Sequence, residues 1–359
     1  MKRILCFSAY AANLRYVALA RGLRDHGYEV IASKSHGPSG SILELALTLL
    51  PNCWLALTCR ADLAAGFKPH PNVTLPLWIA KLRGLPTWLD VDDLDHAYRT
   101  GWVGTLVEIL QRPFPRLYTI VTYHNENLRE HLIRDRHVNP DRLLRVEQGV
   151  DCRLFDGQAA PDRVAEVRRR FDLAGKPVAV YTAHLNVASD LEPVLTAWQT
   201  VVRELPAAVL LVVGGGPLRQ HFENLAGQMG LTSQVHFTGE VSHGDVPAFF
   251  AVADVALLYF SPRLVNQYRC SLKLREYFAA GVKVVCNDVG ELPTFAHLTY
   301  QSSSDPAAFA ANIVRVLRGG GDRREQQAHD YARQQLHWPR LIEQATREIV
   351  ARGGLASPD

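Results

Sequence analysis

The stretch SLKLREYFAAG, Ser271 to Gly281, sets a lysine and a glutamate three positions apart at the start of a helical pattern. Residues so spaced share one helix face, so Lys273 and Glu276 are either a weak surface ion pair or two arms of a ligand site. In a ligand site the cation and the helix N-terminus would meet an anion, and the carboxylate would hold hydroxyls. The run LDVDDLDH gathers Asp90, Asp92 and Asp93. Such carboxylates suit a hard divalent cation, the hydroxyls of an acceptor, or the cap of a following helix. Gly214, Gly215 and Gly216 in VVGGGP either cradle a phosphate or make the tight strand-to-helix turn the chain needs there. Other polar residues that follow apolar runs are Asn13, Lys68, His124, His184, Asn186, Glu240 and the span from Arg263 to Glu276.

Several chemistries drop out. The GGGP turn does not follow the first strand and is not GxGxxG, which argues against a nicotinamide dinucleotide. No GxxxxGK[ST], GxSxG or HExxH occurs. The six cysteines form no CxxC and no metal-like spacing, which fits reduced thiols in a cytoplasmic protein and no metal centre. A net charge of +3 over 359 residues is too mild to argue for nucleic acid. The start MKRILCFSAY has too short an apolar run for a signal peptide, and no stretch reaches the roughly 20 apolar residues of a membrane span. SILELALTLLPNCWLAL is the most apolar segment. Pro51 and Asn52 are expected to break it into a buried helix and a loop; a membrane-dipping surface is the alternative.

These residues hang on alternating strands and helices. RILCFS, the loop AYAAN, the helix LRYVALARGLRDHG and YEVIAS make a βαβ unit, with Gly27 as the helix stop. LPTWLDV, LYTIVTY and RLLRVEQGV continue the strands, with NENLREHLIRD as a helix between the last two. The alternation lapses in DCRLFDGQAAPDRVAEVRRRFDL and resumes with KPVAVYTAHL, AAVLLVVGGG, QVHFTGEV, DVALLYF and VKVVCND. Ser189 is the expected cap of the helix after KPVAVYTAHL. The pattern predicts an α/β protein with two doubly wound, Rossmann-like domains, residues 1–155 and 156–335, facing each other across a cleft. In such sheets ligands sit at the carboxyl ends of strands, where the polar residues above fall.

From about residue 121 onward the chain resembles the retaining GT-B glycosyltransferases of the family-4 type. The resemblance rests on LLVVGGGP, VHFTGEVSHGDVPAFFAVADVALLYF and SLKLREYFAAGVKVVCNDVGELPTF, and more weakly on VTYHNENLREHLIRDRHVNPDRLLRVEQGVDCRLF. It implies transfer of a sugar from a nucleotide-sugar donor (UDP-, GDP- or TDP-linked) to an acceptor hydroxyl, with retention and with no cofactor. The donor would lie on the second domain and the acceptor on the first. A glycan, lipid-linked or small-molecule acceptor fits, with glycan or glycoconjugate biosynthesis as the setting and peripheral contact at the inner membrane face. The tail HWPRLIEQATREIV matches the family's final helix, so 336–359 is expected to pack back onto the first domain.

The resemblance assigns Glu276 to the ribose hydroxyls and Lys273, Arg269 and the amides of Ser271 and Leu272 to the diphosphate. Asp92 would orient the reacting sugar or the acceptor. His184, Asn186, Gly215, Glu240, Tyr268 and Asn13 complete the donor side; Asp93, His124 and Lys68 stand on the acceptor side. The chain departs from the family at several points. Tyr268 stands where the motif has its first glutamate. His184 and Ser189 stand where an arginine and a lysine are usual, with Arg263, Arg269 and Lys273 as replacements. Asp92 takes the place of a histidine, and SAYAAN lacks the usual glycines. These departures leave room for two other readings: a GT-B-like binding protein whose activity has decayed, and a sugar-nucleotide epimerase.

Overall fold

The computed structural model describes residues 2–10, 13–35, 42–94, 105, 108–109, 111–156 and 159–353. Ala11 and Ala12 of the first loop, and residues 354–359 of the tail, lie outside the described residues. The chain divides into two units. The first comprises 1–148, 268–270 and 338–359; the second comprises 149–267 and 271–337.

The first unit holds β1 (Arg3–Ser8), β2 (Glu29–Ala32), β3 (Leu63–Phe67), β4 (Thr87–Asp90), β5 (Ile120–Tyr123) and β6 (Leu143–Arg145) in the order β2-β1-β3-β4-β5-β6. Every pairing is parallel. A parallel sheet is covered on both faces, so its strands are apolar throughout and divide their side chains by alternation. Leu5 and Phe7 enter one core, Ile4 and Cys6 the other. The Trp338–Arg352 helix packs in this unit through Ile342 and Ile349. Gly22 lets it approach: a Cβ there would stand 1.6 Å from Ile342 Cγ2.

The second unit holds β7 (Val178–Thr182), β8 (Val209–Val213), β9 (Val235–Gly239), β10 (Val255–Leu258), β11 (Val284–Cys286) and β12 (Tyr300–Gln301), in the order β12-β11-β10-β7-β8-β9 and all parallel. In each sheet the strand order reverses once, beside β1 and β3 in the first and beside β7 and β10 in the second. A doubly wound sheet binds ligands beyond the carboxyl ends of strands at such a point.

Three elements differ from expectation. β3 reads LAAGF, whose small residues carry little strand preference, yet it is the central neighbour of β1 and wholly buried. The apolar segment is one helix, Ile42–Thr58, with Pro51 inside it rather than at a break. Its outer face is not core: Leu47, Leu50, Trp54 and Leu57 are all more than half exposed. Ser189 is not the cap of the Leu191–Glu204 helix, because its Oγ donates to His184 O and accepts from the Asn186 amide.

Candidate functional site

In the second unit the Leu272–Ala279 helix starts at Ser271, whose Oγ accepts from the Leu274 amide. It is pinned to the end of β7, where Tyr277 Oη accepts from the Thr182 amide at 3.0 Å. Arg275, only 1% exposed, anchors it from the other side through a buried pair with Glu291, Nη2 to Oε2 at 2.8 Å. With those two residues fixed, Lys273 and Glu276, three positions apart, share the helix face beside Tyr277. Lys273 Nζ stands 5.6 Å from the centre of the Tyr181 ring, a cation–π contact. Glu276 is 8% exposed, and its Oε1 meets His243 Nε2 at 3.0 Å. That hydrogen bond pushes the His243 imidazole above its ordinary pKa; burial opposes it, and the charges of Glu276 and Asp151 add to it.

The glycine loop after β8 lies against the loop after β7. Gly214 and Gly216 have φ of +129° and +144°, and a Cβ at either would press into the carbonyl of Ala183 or Leu185, at 2.0 and 2.4 Å. Gly215 accepts from the Leu185 amide, and a Cβ there would meet Glu240 Cγ at 2.5 Å. The turn therefore needs its glycines for backbone approach alone. Asn186 is engaged in its own turn, Oδ1 accepting from the Ala188 amide, while His184 and Glu240 are exposed.

The first unit brings its expected residues together. Lys68, at the end of β3 and with an unusual φ of +68°, places Nζ 3.2 Å from Asp92 Oδ1 and 3.5 Å from Asp93 Oδ2. His124, at the end of β5, bonds through Nε2 to the Asp92 carbonyl. A lysine in the left-handed region costs energy that neighbouring contacts must offset. Asp90 has a different fate: it accepts from the buried Arg15, Nε to Oδ2 at 2.7 Å, and Arg15 also donates to the carbonyls of Val146 and Glu147. Asp90 therefore ties β4 to the Leu14–Asp25 helix and does not join Asp92 and Asp93. Asn13 caps that helix through Oδ1, and its Nδ2 has no hydrogen-bond partner among the described residues.

Several expectations change in detail. The Ser271 amide, expected to face a diphosphate, donates to Glu291 Oε1 at 2.6 Å. Arg263, one candidate for a replacement cation, is held by Asp190 at 2.7 Å and by the Val187 carbonyl. Tyr268 and Arg269 group with the first unit rather than the second. The Tyr268 ring tilts against His131, and its carbonyl accepts from Asn125 Nδ2. Sequence reasoning missed His243, Glu291 and Asp190. A histidine in the VSHGDVP turn carries no local sign that it will meet a carboxylate 33 positions later.

Residues 176–319 match the family model described as "Glycosyl transferases group 1". The GDP-mannose-dependent alpha-(1-6)-phosphatidylinositol monomannoside mannosyltransferase of Mycobacterium tuberculosis (strain CDC 1551 / Oshkosh) is 31% identical over 147 residues, 40% of this chain and 38% of that protein. The alpha-D-kanosaminyltransferase of Streptomyces kanamyceticus is 24% identical over 208 residues, 56% of this chain and 51% of that one. The chain thus spans between 38% and 51% of the length of these two relatives. Among solved structures, a glycosyltransferase from Rickettsia africae ESF-5 superposes with a TM-score of 0.75 at 14% identity, over 98% of both chains. Sucrose-phosphate synthase from Thermosynechococcus elongatus gives 0.74 at 17% identity, over 98% of this chain and 100% of that one. Likeness at such identities speaks for the fold, which is GT-B. Within its second unit, over residues 176–319, the chain is similar to the glycosyl transferases group 1.

Proposed function

We propose that the protein transfers a sugar from a nucleotide-sugar donor to an acceptor hydroxyl, with retention of anomeric configuration. The observation that carries this reading is Glu276: a nearly buried carboxylate one helical turn from Lys273, on the helix fastened to the end of β7. A carboxylate can accept from both vicinal ribose hydroxyls, and a cation near the helix N-terminus suits a diphosphate. As the glycosidic C–O bond breaks, its electron pair passes to the diphosphate. The acceptor oxygen then attacks the oxocarbenium-like carbon from the same face, giving its proton to the departing phosphate. Lys273 and the Leu272 amide stabilise the growing charge, with Arg269 as a further cation. In the first unit Asp92 orients the acceptor, held in place by Lys68, with Asp93 and His124 beside it. His184, Asn186, Gly215, Glu240, Tyr268 and Asn13 remain donor-side assignments of this reading. No cofactor is needed. The experiment is a panel of nucleotide sugars in EDTA, read by thermal shift and by turnover, with GDP-mannose first because a relative's name specifies it. A donor at 100 times its Kd should add about 2.7 kcal/mol of stability. Slow donor hydrolysis marks a transferase, sugar inversion an epimerase, and neither a decayed binding protein. The product's anomeric proton coupling reports retention.

His243 supplies a pH dependence. Its imidazolium holds Glu276, so it competes with the ribose hydroxyls when protonated. Donor affinity is expected to fall as pH drops through the raised His243 pKa, and His243→Asn should flatten that change. The effect on folding runs the other way. A pKa raised in the folded state contributes stability below the unfolded value of 6.5, and that contribution fades as pH rises past the folded value. Calorimetric titration of nucleoside diphosphate from pH 5 to 8.5 checks it; an equally steep profile in the variant removes His243 from the account.

A lipid-linked acceptor is favoured by the apolar face on the first unit. Leu47, Leu50, Trp54 and Leu57 project at helical spacing from Ile42–Thr58, with Trp78 and Leu82 also exposed on the Pro71–Leu82 helix packed against it. An apolar face of this kind marks a contact surface, and we assign it to a bilayer, contacted peripherally on its cytoplasmic side. Among the described residues no helix is long and apolar enough to cross a membrane. Leu50→Glu with Trp54→Glu is expected to abolish co-sedimentation with phosphatidylinositol-containing vesicles and leave nucleotide binding unchanged. Undiminished sedimentation would exclude this face.

A further inference from the structure

The Glu126–Arg134 helix ends at Asp135, and the next residue, Arg136, is buried beneath it at 5% exposure. Its Nε donates to His131 Nε2 at 3.1 Å, and His131 Nδ1 meets Asp135 at 2.7 Å. Both imidazole nitrogens are thereby used. An imidazole that accepts at Nε2 carries its proton at Nδ1 and is neutral. Asp135 thus faces the imidazole, while Glu108 stands 3.9 Å from Arg136 Nη2, outside hydrogen-bonding distance. Arg136 Nη1 is buried and has no hydrogen-bond partner among the described residues. Burial pulls the Arg136 pKa below the ordinary guanidinium value; Glu108 opposes this and Arg112 adds to it. Arg136 thus keeps an idle buried donor, with the half-exposed Glu108 at 3.9 Å and Asp135 as its nearest anions and Arg112 as a second cation, so its charge is only partly met.

Beside it lies a cavity of about 380 Å³, lined by Arg112, Arg116, Arg136, His137, Asp135 and Ile109, among others. In a doubly wound unit the helix after a strand runs back toward the strand's amino end. The C-terminus of the Glu126–Arg134 helix therefore lies at the opposite edge of the sheet from Lys68, Asp92, Asp93 and His124. We propose that this cavity is a separate anion site for a phosphate group, gripped by Arg136 with Arg112 and Arg116 at its mouth. Guanidinium groups match phosphate oxygens in charge and in fork geometry. Asp135 also lines the cavity, and the three guanidinium groups outweigh its single negative charge. The phosphate comes from a free phosphorylated solute or from a phospholipid headgroup; both present the same oxygens.

The test uses the full chain and two probes. The first is inorganic phosphate, titrated calorimetrically against chloride at matched ionic strength. The second is phosphatidylcholine vesicles with and without phosphatidic acid. The variant is Arg112→Ala with Arg116→Ala, two exposed residues whose loss leaves the core intact. Saturable phosphate binding that weakens at least about tenfold in the variant supports the site, since charged hydrogen bonds of this kind contribute more than that. If phosphatidic acid strengthens vesicle binding in the wild type and not in the variant, the source is a headgroup; a response to inorganic phosphate alone makes it a solute. Arg136→Lys, which keeps the charge but loses the fork, should weaken binding as well. No saturable response to either probe, or equal binding by wild type and the double variant, overturns the proposal.

Discussion

Glu276→Ala is expected to weaken binding of the nucleoside diphosphate by roughly 10² to 10⁴, because two hydrogen bonds to a charged acceptor contribute about 1.5 to 3 kcal/mol each. The fold should survive. Glu276 meets the exposed His243, whereas the helix itself is held by Arg275 with Glu291 and by Tyr277 with Thr182. Glu276→Gln separates charge from shape: it keeps the volume and one acceptor oxygen, so its loss should be intermediate. The alanine variant carries an internal readout as well. Without its partner, His243 should titrate closer to 6.5, a change visible in its imidazole proton shifts. Wild-type affinity in a variant whose His243 has moved would show that the carboxylate was removed and that it never held the ribose.

The two parallel sheets follow from strand–helix alternation, since parallel neighbours need crossovers and short loops allow little else. The positions at strand ends follow too, because Lys68, His124 and His184 each directly succeed a largely apolar run, and Asp92 lies two residues past the end of TWLD. What stayed hidden depends on partners far away in the chain. LAAGF is a strand because β1 and β4 flank it, not because Ala-Ala-Gly prefers to be extended. Pro51 remains inside a helix because packing against the Pro71–Leu82 helix outweighs one lost hydrogen bond. Asp90 and Asp92 look alike in LDVDDLDH, and only the tertiary structure shows that Arg15, 75 positions earlier, takes the first and Lys68 the second. Likewise the Ser271 amide is a helix N-terminal donor by sequence, and only the fold brings Glu291 to it.

Lys273→Ala is expected to lower kcat by about 10² to 10³ and to weaken donor affinity much less. Charge on the diphosphate grows as the sugar leaves, so a cation beside it matters most in the transition state. The other cationic groups of the second unit near this helix are each placed differently. Arg263 is tied to Asp190 and Val187, Arg275 to Glu291, and His184 stands exposed after β7. Lys273 sits in the first turn of the Leu272–Ala279 helix, where the helix dipole favours an anion. The Lys273 ammonium stands 5.6 Å from the centre of the Tyr181 ring, a cation–π contact that helps to place it. Lys273→Arg should recover part of the rate, because charge is retained although the planar fork differs from a compact ammonium. Tyr181→Leu should give a smaller loss in kcat through poorer placement of Nζ. Steady-state kinetics with the donor varied distinguishes these effects. A Lys273→Ala enzyme whose KM rises while kcat stays put would make the lysine a ground-state contact and leave the leaving group without its proposed counter-charge.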